Sequence, residues 1–476
     1  MTILGQAHKP LLLFQLIRST RGIIRVITNR SRSVRTGPMT LLLTGLTMLS
    51  ALSAAPRAQD PAAAPRHWHQ WRGPHATGVS TTADPPVEWS ETKNVRWKVE
   101  IPGRGSSSPV VWGDRLFVTT AVPVGVTGSE QHAPRGGVRP RGLHRFVVMA
   151  LDRKTGKTIW ERVAREQEPH EGSHTDNGTW ASGSPITDGE RVFAYFESFG
   201  LYAYDMNGTL LWDKDLGDKR MRNEFGEGST PALHGNTLVV VWDHLGGESF
   251  VIALDKRDGK ELWRAPHKEI DTWATPLIVE VNGRAQAIVP AMERVRSFDL
   301  ATGALVWESD GLTMNAIPSP VYADGLVFLM SGFRGNDLKA VRITEAKGNI
   351  DGTSAIAWTL DRDTPYVPSP VLVDGVLYFL KTNSGILSAL DAKTGMPHYA
   401  NQRLDGVPNV FASPVAAKGR VYFPGREGTT LVIRSGPKFE VLGKNTLDDG
   451  FDASPALVDR EMYLRGYRYL YAIAQP

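Results

Sequence analysis

The sequence predicts an all-β chain folded as an eight-bladed β-propeller of four-stranded antiparallel blades, closed by an N-terminal strand. Three observations carry this reading. A turn-and-tryptophan motif recurs as ALDRKTGKTIW from Ala150, ALDKRDGKELW from Ala253 and SFDLATGALVW from Ser297. A Ser-Pro or Thr-Pro step ahead of an apolar run places prolines at 109, 185, 231, 276, 320, 370, 414 and 455. After the first interval, which holds an insertion, these lie 46, 45, 44, 50, 44 and 41 residues apart, a blade-sized period. Finally, the two ends of the array complement each other. The last unit supplies three strands (456–458, 461–464, 469–473), while an orphan strand NVRWKVEI at 94–101 carries Trp97, the tryptophan that unit lacks. An open solenoid, the competing architecture, gives that orphan strand no place.

In chain order, residues 1–58 read as a leader. Every charge before Asp60 is basic (Lys9, Arg18, Arg21, Arg25, Arg30, Arg32, Arg35, Arg57), and the uncharged run MTLLLTGLTMLSAL at 39–52 ends in small residues, SAAPRA. That is the grammar of an export signal, and 14 apolar residues fall short of a membrane span. The mature chain is therefore expected in the periplasm or secreted, with no transmembrane span. Of 54 basic residues these eight belong to the leader, so 46 remain against 50 acidic ones, and the overall charge of +4 gives no reason to expect nucleic acid. The absence of cysteine excludes disulfides and a lipidated cysteine alike. Residues 59–93 are expected to form an N-terminal arm, including HWHQW at 67–71, and residues 94–474 the propeller.

Within a unit, SPVYADGLVFLM from Ser319 reads as strand, Asp-Gly turn, strand; a third strand then leads into the Thr-Gly turn and a fourth bearing tryptophan. The turn glycine permits positive φ, and the residue four later projects a large ring onto the neighbouring blade. Trp97, Trp160, Trp212, Trp263, Trp307 and Trp358 occupy that place and are expected to dock blade on blade. Burying an indole is worth at most roughly 4–6 kcal/mol. Unit six has Tyr399 instead, and unit seven has Phe439 out of register, so those joints are expected to be weaker.

The motif A-x-D-x-x-T-G-x-x-x-W, as in ALDRKTGKTIW, together with the SPVxxDG blades, resembles the pyrroloquinoline quinone (PQQ) repeat of eight-bladed quinoprotein-type propellers. The resemblance spans about residues 90–474. It implies the fold, which hosts quinoprotein alcohol dehydrogenases but also non-enzymatic propellers such as the outer-membrane barrel-assembly lipoprotein. WRGPHATGVS near Trp71 and SSPVVWGDRLFVTTA resemble exported bacterial propellers of unknown role. A quinone site would need a carboxylate and an amide around calcium, an aromatic floor and a catalytic carboxylate. Glu227 and Asn315 are the candidate metal ligands, Trp273 the floor and Asp452 the catalytic candidate. The chain departs from those dehydrogenases in having no adjacent cysteine pair.

Topology fixes which face can work. The first and third connections of every blade lie on one face and are mostly tight turns, TEAKGNIDGTS from Thr344 being the exception. The insertion at 121–145 and the link at 163–183 fall on the opposite, long-loop face, where adaptable loops gather function. Residues just before each Ser-Pro should rim a central funnel there: Arg104, Trp180, Glu227, Trp273, Asn315, Tyr366, Asn409 and Asp452. Asp243, His244, Arg334, Lys381, Asn383 and Arg426 join them from the strand-two-to-three loops. HEGSH at 170–174 matches a zinc-protease pattern, but Pro169, Gly172 and TDNGT oppose the helix that chemistry needs, so a solvated loop is expected. The function expected is a monomeric, non-catalytic platform binding a protein partner or small ligand on the long-loop face. The alternative is a calcium-dependent quinoprotein oxidoreductase or a degenerate relative.

Overall fold

Antiparallel pairing of the apolar runs, each strand turned back by an Asp-Gly or Thr-Gly step, produces a ring of blades. The structure, a computed structural model, describes residues 67–125, 138–139 and 141–475. The leader lies outside them. Among the described residues there are eight sheets of four or five strands and one two-stranded ribbon. Blade one comprises Val110–Trp112, Arg115–Pro123, His144–Asp152 and Thr158–Gln167, from the inner strand outward. Blade eight is built from Ala456–Val458, Glu461–Arg465 and Tyr469–Ala474, and Val95–Glu100 pairs antiparallel with the last of these to complete it. The N-terminal strand thus closes the ring. No helix among the described residues is long and apolar enough to cross a membrane.

Each docking tryptophan leaves its outer strand toward the next blade. The indole Nε1 of Trp97, Trp160, Trp212, Trp263 and Trp358 donates to the carbonyls of Arg153, Met206, Lys256, Leu300 and Ala392 at 2.8–3.1 Å. Each acceptor belongs to the third-connection turn of the following blade. That turn glycine therefore serves twice. Gly303 has φ +72°, and a Cβ on it would stand 2.6 Å from the Trp263 ring. The sixth indole, Trp307, is fully buried, yet its Nε1 has no partner. The long turn of blade five explains this, since its Gly348–Asn349 strand pairs parallel beside Trp307 and adds a fifth strand to blade four.

The Ser-Pro steps build a second closed element. The backbone N–H of each Ser or Thr donates to the hydroxyl of the next blade's, from Ser108 to Ser184, Thr230, Thr275, Ser319, Ser369, Ser413 and Ser454, and then back to Ser108, at 2.9–3.2 Å. These N–H groups sit at the start of inner strands, where no blade neighbour reaches them. The hydroxyl supplies the acceptor such buried donors require.

The N-terminal arm is described from His67 onward. It enters the central channel from the turn face, with Trp68 pairing with Val111 through both backbone bonds and the His69 carbonyl accepting from Thr187. Its tip bears Trp71, whose Nε1 donates to Ser319 Oγ at 3.2 Å, and Arg72. The Arg72 guanidinium is buried without a carboxylate and donates instead to the carbonyls of Thr77, Pro370 and Pro414. Burial pushes its pKa down to about 9. The chain returns as Val79–Ser80, parallel to Val415–Ala417 of blade seven. It then runs outward, and Asn445 both donates to the Val87 carbonyl and accepts from the Trp89 N–H, each at 2.8 Å.

This outward run repairs the joint that the sequence leaves short. In blades one to three the docking tryptophan pairs with an alanine of the third strand (150, 203, 253), whereas in blade seven Val432 pairs with Gly443. A Cβ at Gly443 would meet the Val87 carbonyl at 2.6 Å, so the arm fills the vacancy. Trp89 stacks on Tyr422 of the blade's second strand (6.4 Å, 26°), much as Trp160 packs on Phe117 and Trp97 on Tyr463. Phe439 faces back onto Tyr399 at 5.9 Å. The joint after blade seven is thus filled by an indole from before the array.

Candidate functional site: the funnel on the long-loop face

The links between blades converge above the Ser-Pro ring and leave a concavity of about 400 Å³. Its floor is Trp71 and the ring hydroxyls, so the arm makes the funnel blind. Of the sequence-derived candidates, Glu227, Trp273, Asn315, Tyr366, Asp452 and Asn383 line it. Phe225, Phe333 and Phe411 line it as well.

The remaining candidates stand behind or beside the wall. Arg426 lies over the Phe411 ring (4.1 Å), donates to Tyr467 Oη and pairs with Asp452 at 3.2 Å. Arg104 is mostly desolvated near Asp452 and Tyr467, and burial lowers its pKa. Trp180 donates to the Glu171 carbonyl and packs on His144, holding the 163–183 link in place. Arg334 is exposed over Phe333; Lys381 pairs with Asp363 at 2.8 Å, and Asn409 donates to Glu427. Asp243 is buried beneath the rim against His267 (2.6 Å).

Glu227 belongs to a buried charge cluster with no signature in the sequence. Its Oε2 accepts from the Ser198 N–H at 3.0 Å and lies 3.8 Å from Lys219 Nζ, which is itself paired with Glu197. Burial pushes the Glu227 carboxyl up to about 8; Lys219 opposes that shift and Glu197 adds to it. Burial also disfavours charge on Lys219, but the two carboxylates outweigh it and hold the amine above its ordinary range. Burial likewise raises Asp452 to about 6 against the pull of Arg426. A dication at Glu227 would face the Lys219 ammonium 3.8 Å away, and burial already disfavours charge on that carboxyl. The donor set therefore does not fit a calcium–quinone centre.

HEGSH is not helical; His170, Glu171 and His174 are half-buried and Gly172 and Ser173 buried. His170 Nε2 contacts the Lys219 carbonyl at 2.6 Å, Glu171 accepts the Met221 N–H, and the Gly172 N–H donates to Glu224. Ser173–His174 pairs with Val138–Arg139 in the two-stranded ribbon. The motif therefore pins the long link to the neighbouring 218–226 loop. The rest of the 121–145 insertion falls largely outside the described residues.

Comparison with known proteins agrees with this architecture. A family model described as outer membrane protein assembly factor BamB matches residues 76–248 and 247–473. The outer membrane protein assembly factor BamB of Yersinia pestis is 25% identical over 53% of this chain and 63% of its own length. Its Francisella salina counterpart is 28% identical over 21% of this chain and 17% of its own length. The chain thus aligns with less than two thirds of either relative. Among solved structures, BamB from Moraxella catarrhalis superposes with a TM-score of 0.56 at 13% identity, covering 80% of this chain and 97% of that one. The quinohemoprotein alcohol dehydrogenase of Comamonas testosteroni does so at 0.62 and 11%, covering 87% and 82%. At such identities both likenesses speak for the propeller fold alone. The family match, spanning the array from the arm's tip to the last strand, places this chain in the PQQ-repeat propeller family of the outer membrane protein assembly factor BamB.

Proposed function

We propose that this protein is an exported, non-catalytic interaction platform that engages a protein partner of the outer-membrane assembly machinery through its long-loop face. The observation that carries this reading is the asymmetry of the two faces. One presents a blind funnel walled by aromatic rings and rimmed by long links; the other is built from tight turns and is entered by the arm. Aromatic anchors around a concavity with a polar rim are the anatomy of a binding hot spot. The quinoprotein reading is not favoured by the site, because Glu227 is already matched to Lys219.

Co-purification of the tagged full chain with outer-membrane assembly components from its own envelope tests the proposal. Phe333→Asp combined with Arg334→Asp is expected to remove the partner, and Lys154→Glu combined with Lys393→Glu on the turn face to leave it bound. The reverse pattern contradicts the choice of face. Dye reduction by the purified chain supplied with PQQ and calcium would contradict the non-catalytic reading.

A further inference from the structure

Two buried acceptors in the funnel lack the donors they require. Asn315 is 2% exposed and donates through Nδ2 to Tyr366 Oη at 3.1 Å, while its Oδ1 has no partner. The Asp452 side chain is 6% exposed; its Oδ2 is taken by Arg426 and Tyr467, while Oδ1 has none. Both residues line the cavity, on blades three apart. A buried acceptor left unmade is destabilising, a cost that an incoming donor would recover.

The other lining groups say what kind of donor. Asp176, Glu227 and Asp452 are among the residues that line the cavity, but no Lys or Arg is. Lys219 and Arg426 stand behind these walls. The rings already favour cations, since the chain's own Arg334 and Arg426 lie 5.5 and 4.1 Å from the centroids of Phe333 and Phe411. An aromatic face attracts a guanidinium or ammonium, more so when desolvated. A blind cavity of about 400 Å³ has room for a side-chain-sized group and not for a folded element.

We propose that the funnel receives a basic group, a guanidinium or alkylammonium, with Asn315 Oδ1 and Asp452 Oδ1 as its acceptors and the aromatic wall as its platform. Resting on the platform reading above, this names the funnel's occupant as a basic side chain of the partner; a free diamine shares the chemistry.

Calorimetric titration of the full chain distinguishes these sources. The probes are a capped alanine-rich hexapeptide with one central arginine, the same peptide with citrulline, and agmatine. The arginine peptide is expected to bind saturably, and citrulline to weaken it by about tenfold or more through loss of a charge-assisted bond. Asp452→Asn and Asn315→Gly should each weaken the arginine peptide by about tenfold. Glycine retains the left-handed backbone of Asn315, at φ +58°, so the loss would not come from refolding the loop. If Asp452→Asn fails to fold, Asn315→Gly decides alone. Agmatine binding as well as the peptide supports the site and assigns it to a free amine. Equal binding of arginine and citrulline, or no saturable heat from either cationic probe, overturns the inference. Should the face variants still release the partner in that case, the platform reading survives while the basic-group reading falls.

Discussion

Trp89 performs for blade seven what Trp160 performs for blade one, although it precedes the array in sequence. Both are buried, at 4% and 6% exposure, and both pack on an aromatic of the blade's second strand. Trp89→Ala and Trp160→Ala are therefore each expected to lose about 3–5 kcal/mol in denaturant unfolding. A loss at Trp89 within about 0.5 kcal/mol, the range of an ordinary surface change, would contradict its role. Glu227 supports a second expectation. Its folded pKa, about 8, lies above the carboxyl's ordinary 4.5, as does that of Asp452, about 6 against 3.8. Both groups thus bind protons more tightly in the folded state. The stability they contribute is fully present below the unfolded values and is lost as pH rises through the folded ones. Melting temperature should fall between about pH 4 and 8, and Glu227→Gln should flatten the upper part of that slope. A slope unchanged by the substitution would contradict the assignment. The docking tryptophans were legible because they recur in phase with a glycine turn. Trp89 and Lys219 were not, since neither shares that period.

At the scale of the element, the Ser-Pro spacing announced the number of blades but not the ring of hydroxyls that spacing builds. Each hydroxyl's donor lies one full blade away, and only closure of the propeller brings the first and last, Ser108 and Ser454, together. Ser369→Ala removes the acceptor of the Ser319 N–H, leaving a buried donor unmade. A loss of about 1–3 kcal/mol is expected, with Ser369→Thr close to neutral. Equal stability of the Ala and Thr variants would mean that water replaces the hydroxyl. The long turn of blade five, an anomaly in the sequence, is likewise an element with a packing task. Replacing residues 345–353 with a short Thr-Gly turn should expose Trp307 and red-shift its fluorescence.

For the molecule as a whole, closure by the N-terminal strand and the eightfold count were legible, because complementary ends admit few other solutions. The arm's course was not. Its grip rests on Arg72 donating to three backbone carbonyls and on Trp71 reaching Ser319, contacts between segments with no common pattern. Of the eight pre-Ser-Pro residues that the sequence pointed to, five line the funnel, and no pattern signalled that the arm would floor it. One end is thereby committed to structure, and the other is the end proposed to bind. Photo-crosslinking from single sites in the full chain, in its own envelope, tests this division most directly. With benzoylphenylalanine at Arg334, Lys381 and Asn409 on the long-loop face, and at Thr155, Thr302 and Thr394 on the turn face, one discrete partner adduct is expected from the first set and none from the second. Adducts confined to the turn-face positions would contradict the account.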